Sequence, residues 1–89
     1  KDSIQNSFDL PAATIFDASR AVLEEEGLIK MADKQKGILK AQVEGANVTV
    51  TIKQVTRRTV SLKVKARNDV YVPKIDVAQA IYTQIVDRL

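Results

Sequence analysis

The fold is decided by residues 48–66, which read VTVTIKQVTRRTVSLKVKA. Apolar and polar side chains alternate along two runs of this stretch, a pattern typical of antiparallel strands with one buried and one wet face. The central residues 56–58 are short enough for a hairpin. The predicted inward side chains are Val48, Val50, Ile52, Val60, Leu62, Val64 and Ala66, and the outward ones are Thr49, Thr51, Lys53, Thr59, Ser61, Lys63, Lys65 and Arg67.

Two amphipathic helices are predicted to cover the apolar face of this ribbon, because a lone hairpin cannot keep such a face dry. The first spans about residues 11–26, with Asp9 or Leu10 at the cap, Pro11 in the first helical position and Gly27 at its end. The second spans about residues 74–89. The apolar stripes are Ala12, Ile15, Phe16, Ser19, Val22 and Leu23 in the first helix, and Val77, Ala78, Ile81, Tyr82, Ile85, Val86 and Leu89 in the second.

Three further strands complete the predicted order. They lie at residues 1–8, an edge strand, and at 28–32 and 38–44, with turns at 33–37 and 45–47. The connections are short, so we expect one α+β domain over residues 1–89. It is a two-layer sandwich, an antiparallel β-sheet with two helices on one face, in the order β-α-β-β-β-β-α. This order resembles the topology of one half of the TATA-binding-protein fold.

Composition limits the chemistry that the chain can perform. Among its 89 residues there is no Cys and no His, which removes disulfides, the common zinc ligands, and cysteine or histidine nucleophiles. The remaining acids, among them Glu24, Glu25 and Glu26, are read as solvated side chains rather than as a metal or proton-transfer site. We therefore predict no enzyme, no catalytic residue, no metal and no cofactor. An enzyme with carboxylate chemistry stays a third alternative.

The outward face of the sheet carries the one suggestive cluster. Its members form a candidate anion or partner surface: Lys40, Lys53, Arg57, Arg58, Lys63, Lys65 and Arg67. A purely solvated charged face is the competing interpretation. Readers of single-stranded nucleic acid usually stack bases on aromatic side chains, and no outward strand position is aromatic. Tyr71 and Val72, in the loop before the last helix, are predicted to pack under that loop.

The chain also resembles a bacterial family of small uncharacterised proteins, a domain of unknown function that often carries a lipoprotein signal. The motifs that carry this resemblance are Phe8-x-x-Pro11, Ile15-Phe16, Ala18, Ala21, Leu23, Gly27, Asp33, Gly37-x-Leu39-x-Ala41, the ribbon at 48–66, and Pro73 before a helix. The resemblance implies a periplasmic or outer-surface domain, tethered to a membrane through a lipidated cysteine upstream of Lys1. It carries over no catalytic residues.

The combined expectation is a non-enzymatic, soluble domain of a bacterial envelope lipoprotein that acts through protein or surface contacts. Its partner would be another envelope protein. The alternative is an intracellular nucleic-acid or anion-binding module that uses the basic outer face of the sheet, although nucleic acid is the less favoured ligand because the net charge is only +3.

Overall fold

The strands and helices follow from the two periodicities of the sequence. The computed structural model describes residues 3–89, and within them it contains five strands and two helices. In chain order these are β1 (Ser3–Phe8), α1 (Ala12–Glu26), β2 (Leu28–Asp33), β3 (Ile38–Val43), β4 (Ala46–Gln54), β5 (Val60–Arg67) and α2 (Ile75–Asp87). The predicted fold class and order are confirmed. The part of the first predicted strand at residues 1–2 lies outside the described residues.

The strands form one antiparallel sheet in the order β1-β5-β4-β3-β2. The strands β2 to β5 form the expected meander, and β1 pairs with β5 at the far edge, so it is the edge strand that the sequence predicts. The strand β2 forms the other edge, where the register shifts between Ile29 and Met31. An irregularity of this kind makes an edge a poorer template for pairing with another chain.

Both helices lie on the same face of the sheet. The helix α1 packs against β2, β3 and β4, whereas α2 packs against β5 and β1, and the two helices also touch each other. Val50, Leu62 and Ile81, which are 0%, 0% and 1% exposed, belong to one hydrophobic cluster. All seven predicted inward residues of the ribbon are buried there. The predicted register is therefore correct.

The starts of both helices lie one residue later than predicted. Pro11 is the N-cap of α1 with an extended ψ of 142°, and its carbonyl accepts hydrogen bonds from the amides of Thr14 and Ile15 at 3.1 and 3.3 Å. The cap at Asp9 or Leu10 was wrong, because the ring of proline fixes φ but leaves ψ free to be extended. Lys74 is the N-cap of α2, since its φ and ψ of −118° and 72° are not helical and its carbonyl accepts from the amide of Ala78 at 3.1 Å. Its own amide donates to the carbonyl of Ala66 in β5 at 2.8 Å.

Two turns also differ from the prediction. The turn between β3 and β4 is centred on Glu44 and Gly45, at φ 50° and 77°, instead of residues 45–47, and Val43 pairs with Ala46 across it. Two consecutive positive φ values match the right-handed twist of a tight hairpin. The loop between β4 and β5 spans five residues rather than three, and it is closed by the amide of Val55 donating to the carbonyl of Thr59 at 2.9 Å.

Candidate anion-binding cleft

The outer face of the sheet, opposite the helices, contains a cleft of about 350 Å³. Side chains of β3, β4 and β5 form it together with the loop at residues 68–73, and we call it the basic cleft. Its described lining residues are Lys40, Asn47, Thr49, Thr51, Lys63, Lys65, Arg67, Asn68 and Tyr71. The cleft therefore lies on the face where the alternating pattern places the lysines.

Strand register brings the polar side chains of the cleft together. Thr49 is paired with Lys65 of β5 and with Lys40 of β3, and Thr51 is paired with Lys63. Side chains two residues apart point to the same face, so these positions form a continuous polar surface across three strands. Lys63 and Lys65 are half-buried. A half-buried lysine commonly packs its aliphatic stem against the surface and keeps its charged end at the edge of the contact.

The described residues that line the cleft carry a net positive charge, and the carboxylate of Asp69 lies beside them, bonded to Asn47. Four of its described lining residues are cationic and none of them is acidic. Lys65 and Arg67 make further contacts within the protein. No ion pair joins Lys40 or Lys63 to any acidic residue among residues 3–89. These two lysines therefore carry the part of the positive charge that an incoming anion would neutralise.

A loop after β5 places an aromatic side chain at the cleft. The Oδ1 atom of Asn68 accepts hydrogen bonds from the amides of Val70 and Val72 at 3.0 and 2.9 Å. The amide of Asn68 donates to the carbonyl of Val72 at 2.9 Å, and the amide of Tyr71 donates to the carbonyl of Asn68 at 3.0 Å. Tyr71 is thereby held at φ 64°. A left-handed conformation is uncommon for a bulky residue.

The prediction that Tyr71 and Val72 pack under their loop is wrong. Tyr71 is 77% exposed and Val72 is 49% exposed. The loop does not need their burial, because the side chain of Asn68 supplies its organising hydrogen bonds. Asparagine is favoured in turns for this reason, and it is the one signal in the sequence that points to this arrangement.

The structure separates the predicted site residues into two groups. Lys40, Lys63, Lys65 and Arg67 line the basic cleft. The other three are Lys53, Arg57 and Arg58, of which the arginines lie in the loop at the start of β5, at the opposite end of that strand from Tyr71. Arg58 forms an ion pair with Asp9 at 3.6 Å.

Lys53 shares the outer face but lies outside the cleft, opposite Ser61 in the sheet. Ser61 was expected to meet water, yet it is 5% exposed. The amide group of Gln5 in β1 donates a hydrogen bond to its hydroxyl at 2.9 Å. The side chain of Gln5 in β1 thus covers the outer face near Ser61. The cleft is therefore limited to the part of that face between Thr51 and Tyr71.

Five lining residues were not among the predicted site residues. Thr49 and Thr51 were placed correctly on the outer face, but only the charged positions were singled out as a surface. Asn47 lies near the start of β4, and Asn68 and Tyr71 lie beyond the end of β5, where periodicity gives no information. The amide group of Asn47 donates to the Oδ1 atom of Asp69 at 2.9 Å, which ties the start of β4 to the loop.

Two of the acidic residues at the end of α1 form ion pairs. Glu25 at the end of α1 is paired with Arg88, and Glu24 lies 3.8 Å from Arg20. No cluster of three or more acidic side chains suited to a metal ion occurs among residues 3–89. Within the same residues, neither helix has the length and apolar character needed to cross a bilayer.

Comparison with known proteins adds a fold relationship. No family model matches the sequence, and no curated protein matches it. Among solved structures, the chain is similar to the crystal structure of the di-domain ARO/CYC StfQ from the steffimycin biosynthetic pathway, with a TM-score of 0.68 and 8% identity. The match covers 98% of this chain and 42% of that one. At this identity the similarity shows the fold alone.

Proposed function

We propose that the protein is a non-enzymatic binding domain whose basic cleft holds an anionic group of its partner. The proposal is carried by one observation: Lys40 and Lys63, which form no ion pair with an acidic residue among residues 3–89, line a cleft in which no described lining residue is acidic. Lys40 on β3 and Lys63 on β5 flank Thr49 and Thr51 of β4 on the same face, and positive charges gathered on one surface repel one another. A bound anion would relieve that repulsion. Solubility alone does not explain the clustering, because charges of both signs scattered over the face would serve it equally well.

The neutral residues of the cleft support the same function. Thr49 and Thr51 offer hydroxyl donors between the lysines. A phosphate or carboxylate oxygen accepts several hydrogen bonds at once, and those from ammonium groups are the strongest. The arrangement therefore suits an anion with several oxygens more than a single chloride-like charge.

Titration with tripolyphosphate at low salt tests this function, with backbone amide signals followed by NMR. We expect the signals of residues around Thr49, Thr51 and Lys63 to shift, and the affinity to fall as salt is added. The double variant Lys40→Gln with Lys63→Gln should weaken binding by about tenfold or more, because two ammonium contacts are lost.

Lys53→Gln is the matched control, since Lys53 lies on the same face outside the cleft. It should leave tripolyphosphate affinity unchanged within about twofold. Thr51→Asp, which places a carboxylate opposite Lys63, should weaken binding as the double variant does. Absence of any titration, or equal losses in the control and the double variant, would overturn the proposal.

A second candidate function is the binding of single-stranded nucleic acid, favoured by the presence of Tyr71 in the cleft. A base stacked on one aromatic side chain contributes about 1–3 kcal/mol. If nucleic acid is the ligand, oligothymidylate should bind more tightly than tripolyphosphate, and Tyr71→Ala should remove the difference. Equal affinity of the two ligands would exclude this candidate.

The cellular location is a separate proposal, supported by the resemblance to the bacterial lipoprotein-like family. We place the domain in the bacterial envelope, on the periplasmic or outer-surface side, tethered through an upstream lipidated cysteine and facing another envelope protein. The gene should then encode a hydrophobic segment followed by a cysteine upstream of Lys1. Recovery of the full-length product with the membrane fraction, and incorporation of labelled palmitate, would support it. Recovery in the cytosol would contradict it.

A further inference from the structure

Three consecutive apolar residues project from the loop after β5. Val70, Tyr71 and Val72 are 75%, 77% and 49% exposed, and we call them the apolar tip. Ile75, at the start of α2, is 45% exposed and extends the same stretch. Single exposed apolar residues are ordinary, but a contiguous group marks a surface that is covered by something else in use.

The apolar tip is held in place by hydrogen bonds rather than by packing. The side chain of Asn68 accepts from the amides of Val70 and Val72, and Tyr71 takes a left-handed backbone conformation. A strained, exposed position that the surrounding structure enforces is a reason to look for function. These hydrogen bonds keep the three side chains exposed to solvent, whereas a loop without them could turn the side chains inward.

The apolar tip adjoins the basic cleft. Tyr71 belongs to both, since its side chain lines the cleft together with Lys40 and Lys63. Apolar and aromatic side chains that enter a lipid headgroup region, next to cations that meet lipid phosphates, form the usual chemistry of contact with an anionic membrane surface. A nucleic-acid strand would account for the cleft and Tyr71, but it would leave Val70 and Val72 exposed.

We propose that this end of the molecule docks on an anionic lipid bilayer. The apolar tip enters the headgroup region, and the basic cleft takes the phosphate of an anionic lipid. The inference rests on the proposed anion-binding function and names its ligand. Charge complementarity selects this occupant, because a second copy of the chain, itself of net charge +3, would bring one basic cleft against another.

Flotation of the purified protein with lipid vesicles tests the proposal. Vesicles of equimolar phosphatidylglycerol and phosphatidylcholine should carry the protein to the top of the gradient, and phosphatidylcholine vesicles should not. The double variant Val70→Ser with Val72→Ser should lower the partition coefficient by about tenfold or more, because it removes apolar area from the contact. Lys40→Gln with Lys63→Gln should lower it roughly 30-fold.

Val55→Ser is the matched control for the tip variant. Val55 is 56% exposed in the loop between β4 and β5, at the other end of the sheet, so its replacement should leave partition unchanged. Circular dichroism of each variant checks that the fold is kept. Equal binding to both vesicle types, or equal losses in Val55→Ser and the tip variant, would overturn the proposal.

The two proposals fail in different ways. Tripolyphosphate binding without vesicle binding would overturn the membrane inference and leave the anion-binding function supported. Vesicle binding that is unaffected by loss of Lys40 and Lys63 would overturn the membrane inference, because the cleft would then take no part, whereas the anion-binding function is overturned only by its own tripolyphosphate test. Soluble glycerol phosphate, added in excess, should compete with vesicles for the cleft only if a lipid phosphate occupies it.

Discussion

Val50 and Thr51 are consecutive residues of β4 whose side chains point to opposite faces of the sheet. Val50 is 0% exposed and is paired with Val64 and Leu39, whereas Thr51 is half-buried on the outer face opposite Lys63. An aspartate at position 50 would bury an unpaired carboxylate. An aspartate at position 51 would meet water and a lysine. The two positions therefore test the alternation on which the fold depends.

We expect Val50→Asp to lower the free energy of unfolding by more than about 4 kcal/mol, enough to unfold a domain of this size. Thr51→Asp should change it by less than about 0.5 kcal/mol. Urea denaturation followed by circular dichroism measures both. Similar losses in the two variants would mean that the side chains at positions 50 and 51 do not lie on opposite faces.

Gly37 and Gly45 provide a second matched pair, since both have positive φ, at 69° and 77°. A Cβ atom on Gly37 would lie 2.1 Å from the carbonyl oxygen of Ile52, whereas one on Gly45 would meet no atom within 4 Å. We expect Gly45→Ala to cost about 1 kcal/mol from backbone strain alone. Gly37→Ala should cost about 3 kcal/mol, because the backbone of β4 must also move. Equal shifts of the urea midpoint would contradict the close approach of residue 37 to β4.

At the scale of elements, the loop at residues 68–73 depends on one side chain. Asn68→Ala removes the acceptor for the amides of Val70 and Val72. We expect both amides to exchange with solvent faster, while the free energy of unfolding falls by only about 1 kcal/mol. Vesicle binding should weaken as well, because the apolar tip loses its fixed conformation.

Asn6→Ala is the control for that variant. The side-chain amide of Asn6 donates to the hydroxyl of Tyr82 at 2.6 Å, so its loss removes a hydrogen bond elsewhere in the fold. Amide exchange at Val70 and Val72 should be unaffected by it. Faster exchange in both variants would indicate general destabilisation rather than a role of Asn68 in the loop.

The strands and helices were predictable because burial of one face sets the spacing of apolar residues along the sequence. Alternation along β4 and β5, and the stripe from Ile15 to Leu23 in α1, follow directly from which side chains meet the core. The ends of the elements were less predictable. Lys74 stays outside α2 because its φ and ψ of −118° and 72° are not helical, in a conformation that lets its amide donate to the carbonyl of Ala66 in β5. The spacing of apolar residues, from which the helix is predicted, gives no information about this contact.

The candidate site was predicted in part for the same reason. Lys40, Lys63, Lys65 and Arg67 fall on one face by alternation, and the structure brings them together in the cleft. Tyr71 lies beyond the last strand, so no periodicity indicates where its ring points. Its position depends on hydrogen bonds to Asn68 and on a backbone conformation that residue type alone does not favour.

At the scale of the whole molecule, both helices and the sheet share one hydrophobic core within residues 3–89. We therefore expect one cooperative unfolding transition, with equal calorimetric and van't Hoff enthalpies. The heat-capacity change should be about 1.1–1.3 kcal/mol/K for a domain of this length. Separate melting of α2 before the sheet would show that its contacts with β1 and β5 are not an integral part of the core.

The tyrosines give the protein an optical property of its own. The chain has two of them and no tryptophan, so its intrinsic ultraviolet emission comes from Tyr71 and Tyr82 alone. Tyr82 is half-buried and bonded to Asn6, whereas Tyr71 is exposed at the basic cleft. Quenching by dissolved iodide therefore acts mainly on Tyr71. Any molecule that binds over this ring shields it from iodide, so occupancy of the basic cleft can be measured by tyrosine emission without attaching a dye.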